Sequence, residues 1–403
     1  MTDPPGSIRV GFDAGALAFP AGGVRRYVRE LYSALPAAAS EAAVRLEFVG
    51  VGAPSSDALP PSTCRGPGVL PLPTNLARAA VSVPLAVRRA RVDLFHAPAY
   101  TAPLFGCTPV VLTIHDVSYA RRPDFYPHGS GPMRQWFYRR SAWSAVRIIT
   151  DSDFSRREIV AAYGIPASRI VAVPLGVGAA FRPAEPDGRA PPGGIGPASS
   201  LGTRLPAGVR APFFLHVGDL HARRNLEVAA RAVLRAIHGH VHPDPQLVCA
   251  GTDRGSAASL RAVFEAAGRP DGLCLTGSVS EPELLALYQG ATALVYPSMY
   301  EGFGLPVLEA MACGLPVVAA RAGSLPEVLG STGILVRPDD EGGFADALGL
   351  LLERPDRRAE LRDSGIRRAA EFTWSRTARA TLSVFLACLV HSGTTGEVER
   401  CER

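Results

Sequence analysis

No lysine occurs among the 403 residues: all 42 basic side chains are arginines. That absence excludes chemistry built on a lysine amine, such as a Schiff base, a pyridoxal phosphate anchor or a G-K-[ST] phosphate loop. Net charge is also small. The net charge of +5 is too small to argue for a nucleic-acid partner, and none is expected. No apolar run reaches the ~18 residues of a membrane helix; the nearest, Ala380 to Val390, falls well short. The start, Met1 to Ser7, lacks the basic and apolar regions of a secretory signal. The seven cysteines are scattered and never form a C-x-x-C pair. They read as reduced thiols rather than a disulfide framework or a zinc site. A soluble, cytoplasmic protein is the expectation.

What is present is a chain that is 47% hydrophobic and 20% charged, able to bury a core in two or three domains. An arginine-only basic set suits phosphate recognition, because the guanidinium fork binds bidentately and stays charged. A bias toward arginine codons also accounts for it, and is the simpler explanation.

Short apolar runs alternate with amphipathic helical segments along the whole length. Ile8–Phe12, Arg45–Val49, Asp93–His96, Val110–Ile114 and Arg147–Thr150 read as strands of one series. Phe213–Val217, Gln246–Ala250, Leu273–Leu275, Ala293–Tyr296, Pro316–Ala319 and Gly333–Val336 form a second. Two such series predict an α/β protein of two Rossmann-like, doubly wound parallel-sheet domains facing a cleft. The expected boundaries are 1–183, a Gly/Pro-rich linker at 184–212, 213–374, a helix at 375–390 of undetermined docking, and a polar tail at 391–403.

The most specific stretch runs from Tyr296 to Val318. A buried strand ends at Tyr296, a loop carries Glu301-Gly-Phe-Gly304, Pro306 falls in the first turn of a helix, and Gly314 closes it. Loop glycines and a helix N-terminus admit an oxyanion, and Glu301 and Glu309 are placed to accept hydrogen bonds from sugar hydroxyls. A second constellation, Phe214-Leu-His-Val-Gly-Asp-Leu-His-Ala-Arg-Arg-Asn-Leu226, runs from strand to helix, with Arg223 and Arg224 able to neutralise a diphosphate, the alternative being a solvated surface pair. Near the start, Ala21-Gly-Gly-Val-Arg-Arg-Tyr27 is a glycine loop before a helix, but not G-x-G-x-x-G, which disfavours a dehydrogenase. His96 and His115 end strands and read either as substrate contacts or as satisfied structural histidines. His238-Gly-His-Val-His242 reads as a solvated loop. Trp136-Phe-Tyr-Arg-Arg140 with Trp143 reads mainly as core aromatics with snorkelling arginines, the alternative being a patch that faces a membrane or a lipid acceptor.

Glu301 to Glu309 resembles the E-x7-E motif of the family 4 glycosyltransferases, which have the two-domain GT-B fold and retain anomeric configuration. The Gly22–Tyr27 loop, Thr113-Ile-His-Asp-Val117, Thr150–Ser155, Val173–Val177 and Val217–Leu226 resemble further family segments, the last of them a branch in which mannosyl transfer is common. The resemblance implies that Glu301 contacts the donor sugar and Glu309 the ribose. It places Gly22, Gly23, Gly218, Gly302, Phe303, Gly304 and Leu305 around the donor, Arg223 and Arg224 on the diphosphate, and His115 on the sugar's C6 hydroxyl. Catalysis then falls to Glu301, His115 and Arg224. The co-substrate is a nucleotide diphosphate sugar, with no metal and no other cofactor, and no D-x-D motif lies between the domains. The partners are that donor and a hydroxyl acceptor, with peripheral membrane association where the acceptor is lipid-linked. This chain departs in having Asp219 where many relatives have arginine, and Arg224 in place of the usual lysine. The expected activity is hexosyl transfer to a glycan, glycolipid or natural product. The alternatives are a nucleotide-sugar 2-epimerase and a non-catalytic sugar-binding subunit.

Overall fold

The structure is a computed structural model that describes all residues except 1–6, 19–21, 54, 56–58, 71–76, 127–130, 185–204, 238–243 and 395–403. Most of the expected linker and tail, and the His238–His242 run, lie outside the described residues.

The chain divides into two compact units, one of Met1–Gly176 with Phe372–Arg403, the other of Val177–Glu371. The first holds seven strands: β1 (Ile8–Asp13), β2 (Leu46–Val51), β3 (Thr63–Arg65), β4 (Leu94–Ala97), β5 (Val110–Thr113), β6 (Arg147–Thr150) and β7 (Ile170–Ala172). Their order is β3-β2-β1-β4-β5-β6-β7, parallel at every pairing. The second holds β8 (Phe213–Val217), β9 (Gln246–Ala250), β10 (Leu273–Gly277), β11 (Ala293–Tyr296), β12 (Val317–Ala320) and β13 (Ile334–Val336). Their order is β10-β9-β8-β11-β12-β13, again all parallel.

The central strands β4, β5, β8, β9, β11 and β12 are buried along their full length. That is why they read as unbroken apolar runs: helices cover both faces of a parallel sheet. β3 and β7, three residues each, are too short to show a period and were not legible. In both sheets the order reverses beside the first strand of the unit, between β1 and β4 and between β8 and β11. Loops at such a switch point are where doubly wound sheets bind ligands.

The helix Trp374–Thr394 belongs to the first unit. Its Phe385 ring lies 5.3 Å from His96, the Thr377 hydroxyl donates to the Pro174 carbonyl at 2.8 Å, and Arg379 pairs with Glu41 at 3.1 Å. Gly176 permits this close approach, since a Cβ there would fall 2.2 Å from the Trp374 nitrogen. Residues 177–183 go with the second unit, where Phe181 meets the Tyr288 ring edge-on and Gln289 donates to the Arg182 carbonyl.

Candidate functional site

At the end of β8 the chain turns at Gly218, whose φ of +131° suits glycine. It then forms a short 3-10 turn, Ala222–Arg224. After β11, residues 297–304 lead into the helix Leu305–Ala312. Because β8 and β11 are neighbours, the two loops meet: the Met299 amide donates to the Arg223 carbonyl at 2.9 Å, and the Ser298 hydroxyl reaches the same oxygen at 3.3 Å.

That meeting buries a charged cluster. Arg224 forms an ion pair with Oε1 of Glu301, and its Nη1 also donates to the Tyr296 hydroxyl at 2.6 Å. Oε1 accepts from the Ser298 hydroxyl at 2.6 Å and from Tyr296 at 3.4 Å. Every one of these contacts falls on Oε1; Oε2 has no hydrogen-bond partner among the described residues. Burial lowers the Arg224 pKa from the usual arginine value, partly offset by the Tyr296 hydroxyl. Its Nε is buried without a partner, and the space beside the guanidinium exists because residue 218 has no side chain. His216 stacks on Tyr296 at 5.3 Å. Burial, with Arg224 adding to it, lowers its pKa to about 3, so the ring is neutral.

Sequence reasoning set Arg223 and Arg224 side by side at the mouth of the loop. The structure separates them: Arg224 turns inward to Glu301, while Arg223 stays half-buried.

Gly304, at φ +100°, caps the helix, and the Val307 and Leu308 amides bond back to its carbonyl. The amides of Gly304 and Leu305 have no acceptor among the described residues. The loop is braced from behind by Ser324, whose hydroxyl donates to the carbonyls of Glu301 at 3.0 Å and Phe303 at 2.8 Å. Gly323 lets that turn approach, since a Cβ there would fall 2.7 Å from the Glu301 backbone. One turn further along the helix, buried Glu309 accepts from the Tyr288 hydroxyl at 2.8 Å. Asp219 lies apart from this cluster and pairs with Arg254 at 3.2 Å.

The first unit carries its own polar cluster at its strand ends. His115 Nδ1 faces Asp151 at 2.8 Å and Nε2 faces the Pro98 carbonyl at 3.2 Å. The Pro98 carbonyl can only accept, so Nε2 carries a proton there, and Nδ1 shares one with Asp151. Burial alone would lower the His115 pKa, but Asp151, with Asp116 and the Pro98 carbonyl, outweighs it, and the pKa is raised. Asp151 is positioned by Ser152, whose hydroxyl caps the helix Asp153–Tyr163. His96 takes the structural reading: its nitrogens meet Tyr32 at 2.9 Å and Thr113 at 2.8 Å, it is fully buried, and burial lowers its pKa to about 3. Gly22 and Gly23 form the first residues of the helix Gly22–Glu41 rather than a preceding loop.

Sequence reasoning assigned no role to Tyr288, Tyr296, Ser298, Ser324 or Asp151. Tyr296 and Ser298 lie inside the specific stretch and were within reach; Tyr288, Ser324 and Asp151 come from other elements. A cavity of about 840 Å³ lies at the opposite edge of the second sheet, beside Pro212, Pro245, Thr292 and Pro316, away from the Arg224–Glu301 cluster. Among the described residues no group of three or more His, Cys, Asp or Glu side chains is arranged to hold a metal.

Two parallel α/β sheets of this order, with a glycine-lined helix N-terminus at the second switch point, are the architecture of the GT-B fold. The structure is similar over 96% of the chain to all of sucrose-phosphate synthase from Thermosynechococcus elongatus, with a TM-score of 0.70 at 21% identity. Residues 21–181 match the model of Glycosyltransferase Family 4, and residues 211–354 that of Glycosyl transferases group 1; the chain belongs to this family. It is 26% identical over 300 residues to O-antigen chain mannosyltransferase B of Escherichia coli, covering 74% of this chain and 76% of that one. It is 28% identical over 397 residues to D-inositol 3-phosphate glycosyltransferase of Pseudarthrobacter chlorophenolicus, covering 92% and 91%. Both relatives and both family models name transferases, and nothing in them favours the epimerase or the non-catalytic subunit.

Proposed function

We propose that this glycosyltransferase moves a hexose, with retention of configuration, from a nucleoside diphosphate sugar to a hydroxyl of a glycan, glycolipid or natural product. Mannose is the sugar favoured by the mannosyltransferase relative. The observation that carries this reading is the buried Arg224–Glu301 pair beside the N-terminus of the helix Leu305–Ala312, with Glu301 Oε2 left unengaged.

In this reading the diphosphate lies against that N-terminus and the amides of Gly302, Phe303, Gly304 and Leu305. Arg223 and Arg224 supply counter-charge, and Gly218 leaves room for close approach. Glu301 Oε2 accepts a hydroxyl of the donor sugar. Glu309, held by Tyr288, accepts from the ribose. His115 donates to the C6 oxygen, and Gly22 and Gly23 offer the donor the backbone at the start of their helix. The bond from the anomeric carbon to the diphosphate breaks and its electron pair leaves with the diphosphate. The acceptor oxygen bonds to the same face of that carbon, and its proton passes to the departing oxygen. Cationic side chains and helix amides stabilise the leaving charge, so the step needs no metal. The enzyme works in the cytoplasm, peripherally at a membrane where the acceptor is lipid-linked.

The test incubates the protein with radiolabelled GDP-, UDP-, ADP- and TDP-sugars, with and without hydroxyl acceptors, and reads the product anomer by NMR. Acceptor-dependent transfer with retention is the expected result. Free or epimerised sugar without acceptor, or tight nucleotide binding with no turnover of any donor, overturns the reading.

A further inference from the structure

The helix Pro132–Ser144 buries Phe137, Ser141 and Ala142 and turns its other face outward. Met133, Trp136, Arg140 and Trp143 are spaced three, four and three apart, which returns each to the same side of a helix. Met133 is 75% exposed, Trp136 60% and Trp143 41%, which overturns the core reading for the two tryptophans, while Phe137 is buried and Tyr138 packs against the core. The hydroxyls of Ser141 and Ser144 donate to the carbonyls of Ala102 and Pro103. That contact brings alongside the helix a segment whose Phe105 is 73% exposed. From Pro132 to Arg147 there is no acidic residue, and Arg134, Arg139, Arg140 and Arg147 are all basic. The side chains of Arg139 and Arg140 make no ion pair or hydrogen bond among the described residues. Single exposed apolar residues are ordinary on a soluble surface; several on one helix face, flanked by one sign of charge, are not. No helix among the described residues is long and apolar enough to cross a membrane.

We propose that this face docks on an anionic lipid surface. Tryptophan rings and a methionine suit the boundary between headgroups and acyl chains, while the guanidiniums meet lipid phosphates. The docking rests on nothing in the donor site. Joined to the transfer reading above, it brings a lipid-linked acceptor to the enzyme.

The whole protein is titrated with vesicles of phosphatidylcholine alone and with phosphatidylglycerol added. Of the three tryptophans, Trp374 is buried and the other two lie on this face, so their emission reads the contact. Anionic vesicles should shift the emission to the blue and sediment the protein, less so as salt is raised. The double variant R139E/R140E should lower vesicle affinity on the order of 10-fold or more, and Trp136→Ser should lower it several-fold. Unchanged nucleoside diphosphate binding shows that each variant is folded and keeps the donor site separate from the test. Trp143 is left intact because its indole N–H holds the Tyr163 carbonyl. No blue shift, equal binding to both vesicle types, or unchanged binding in the variants overturns the proposal. So does a self-association that Trp136→Ser abolishes, which would make the face an interface between copies.

Discussion

The two sheets share one strand order around their switch points, yet they use their polar side chains differently. In the first unit the histidines are satisfied, His96 by Tyr32 and Thr113 and His115 by Asp151 and the Pro98 carbonyl, and only Asp151 Oδ1 in this cluster is buried without a partner among the described residues. In the second, the polar groups come from glycine-rich loops, and among the described residues Glu301 keeps one oxygen without a partner while two helix amides lack an acceptor. Both strand ends thus keep a carboxylate oxygen unengaged, but only the second sets helix amides without an acceptor beside it. What separates them is the backbone: Gly218 and Gly304 at positive φ let the second pair of loops approach closely and leave hydrogen-bonding capacity unused.

Cutting the charged pair tests that contrast most severely. Glu301→Gln keeps the contact from Ser298 but removes the charge, so turnover should fall on the order of 100-fold. Glu301→Ala strands a buried guanidinium, at a cost of about 3–5 kcal/mol, read as a lower melting midpoint. Steady-state rates beside thermal melts separate the two effects. Wild-type turnover in Glu301→Gln would make the pair structural, like the cluster of the first unit.

Next in size is the carboxylate one turn along. Glu309→Ala should weaken free nucleoside diphosphate by about 10- to 150-fold, the worth of a hydrogen bond to a charged group. Tyr288→Phe, which only releases that carboxylate, should weaken it less. Glu301→Gln should leave diphosphate affinity nearly unchanged. Calorimetry with the diphosphate alone checks all three, and equal losses in the Glu301 and Glu309 variants would defeat the separate assignments.

The pH dependence sharpens the comparison. His216 in the second unit and His96 in the first both have folded pKa values of about 3, below the ~6.5 of an unfolded histidine. A depressed histidine gives stability that is present above pH ~6.5 and drains away as pH falls toward 3, with a slope near 1.4 kcal/mol per pH unit. His115, with its pKa raised, acts in the opposite sense: its contribution is complete below ~6.5 and is lost as pH rises through the folded value. Melting between pH 3 and 9 should therefore show a shallower acid limb in His216→Asn and a weakened alkaline limb in His115→Asn. Limbs that do not change would mean that these rings do not titrate on unfolding.

The smallest expected effect is none. With arginines and helix amides carrying the leaving charge, excess EDTA should leave the transfer rate unchanged. Complete loss restored by Mg²⁺ or Mn²⁺ would show that the open cluster of the second unit is completed by a metal.

Apolar periodicity alone determined that this chain forms two parallel α/β sheets, because strands covered on both faces must be continuously apolar. The glycines, Pro306 and the spacing of Glu301 and Glu309 also marked a helix N-terminus at a strand end, since that conformation depends on residues close in sequence. Other features depended on contacts between residues far apart in the chain, which no local pattern encodes. Arg224 read as one of two guanidiniums for a diphosphate, and no local pattern showed that the loop after β11 brings Glu301 against it. Asp151 and Pro98 reach His115 from either side of β5, and Tyr288 comes to Glu309 from another helix. The helix Trp374–Thr394 returns to the first unit because Phe385 and Thr377 find partners there. Whether Trp136 was core or surface was likewise a tertiary decision: Phe137, Ser141 and Ala142 took the inward side of their helix and left the indole outside.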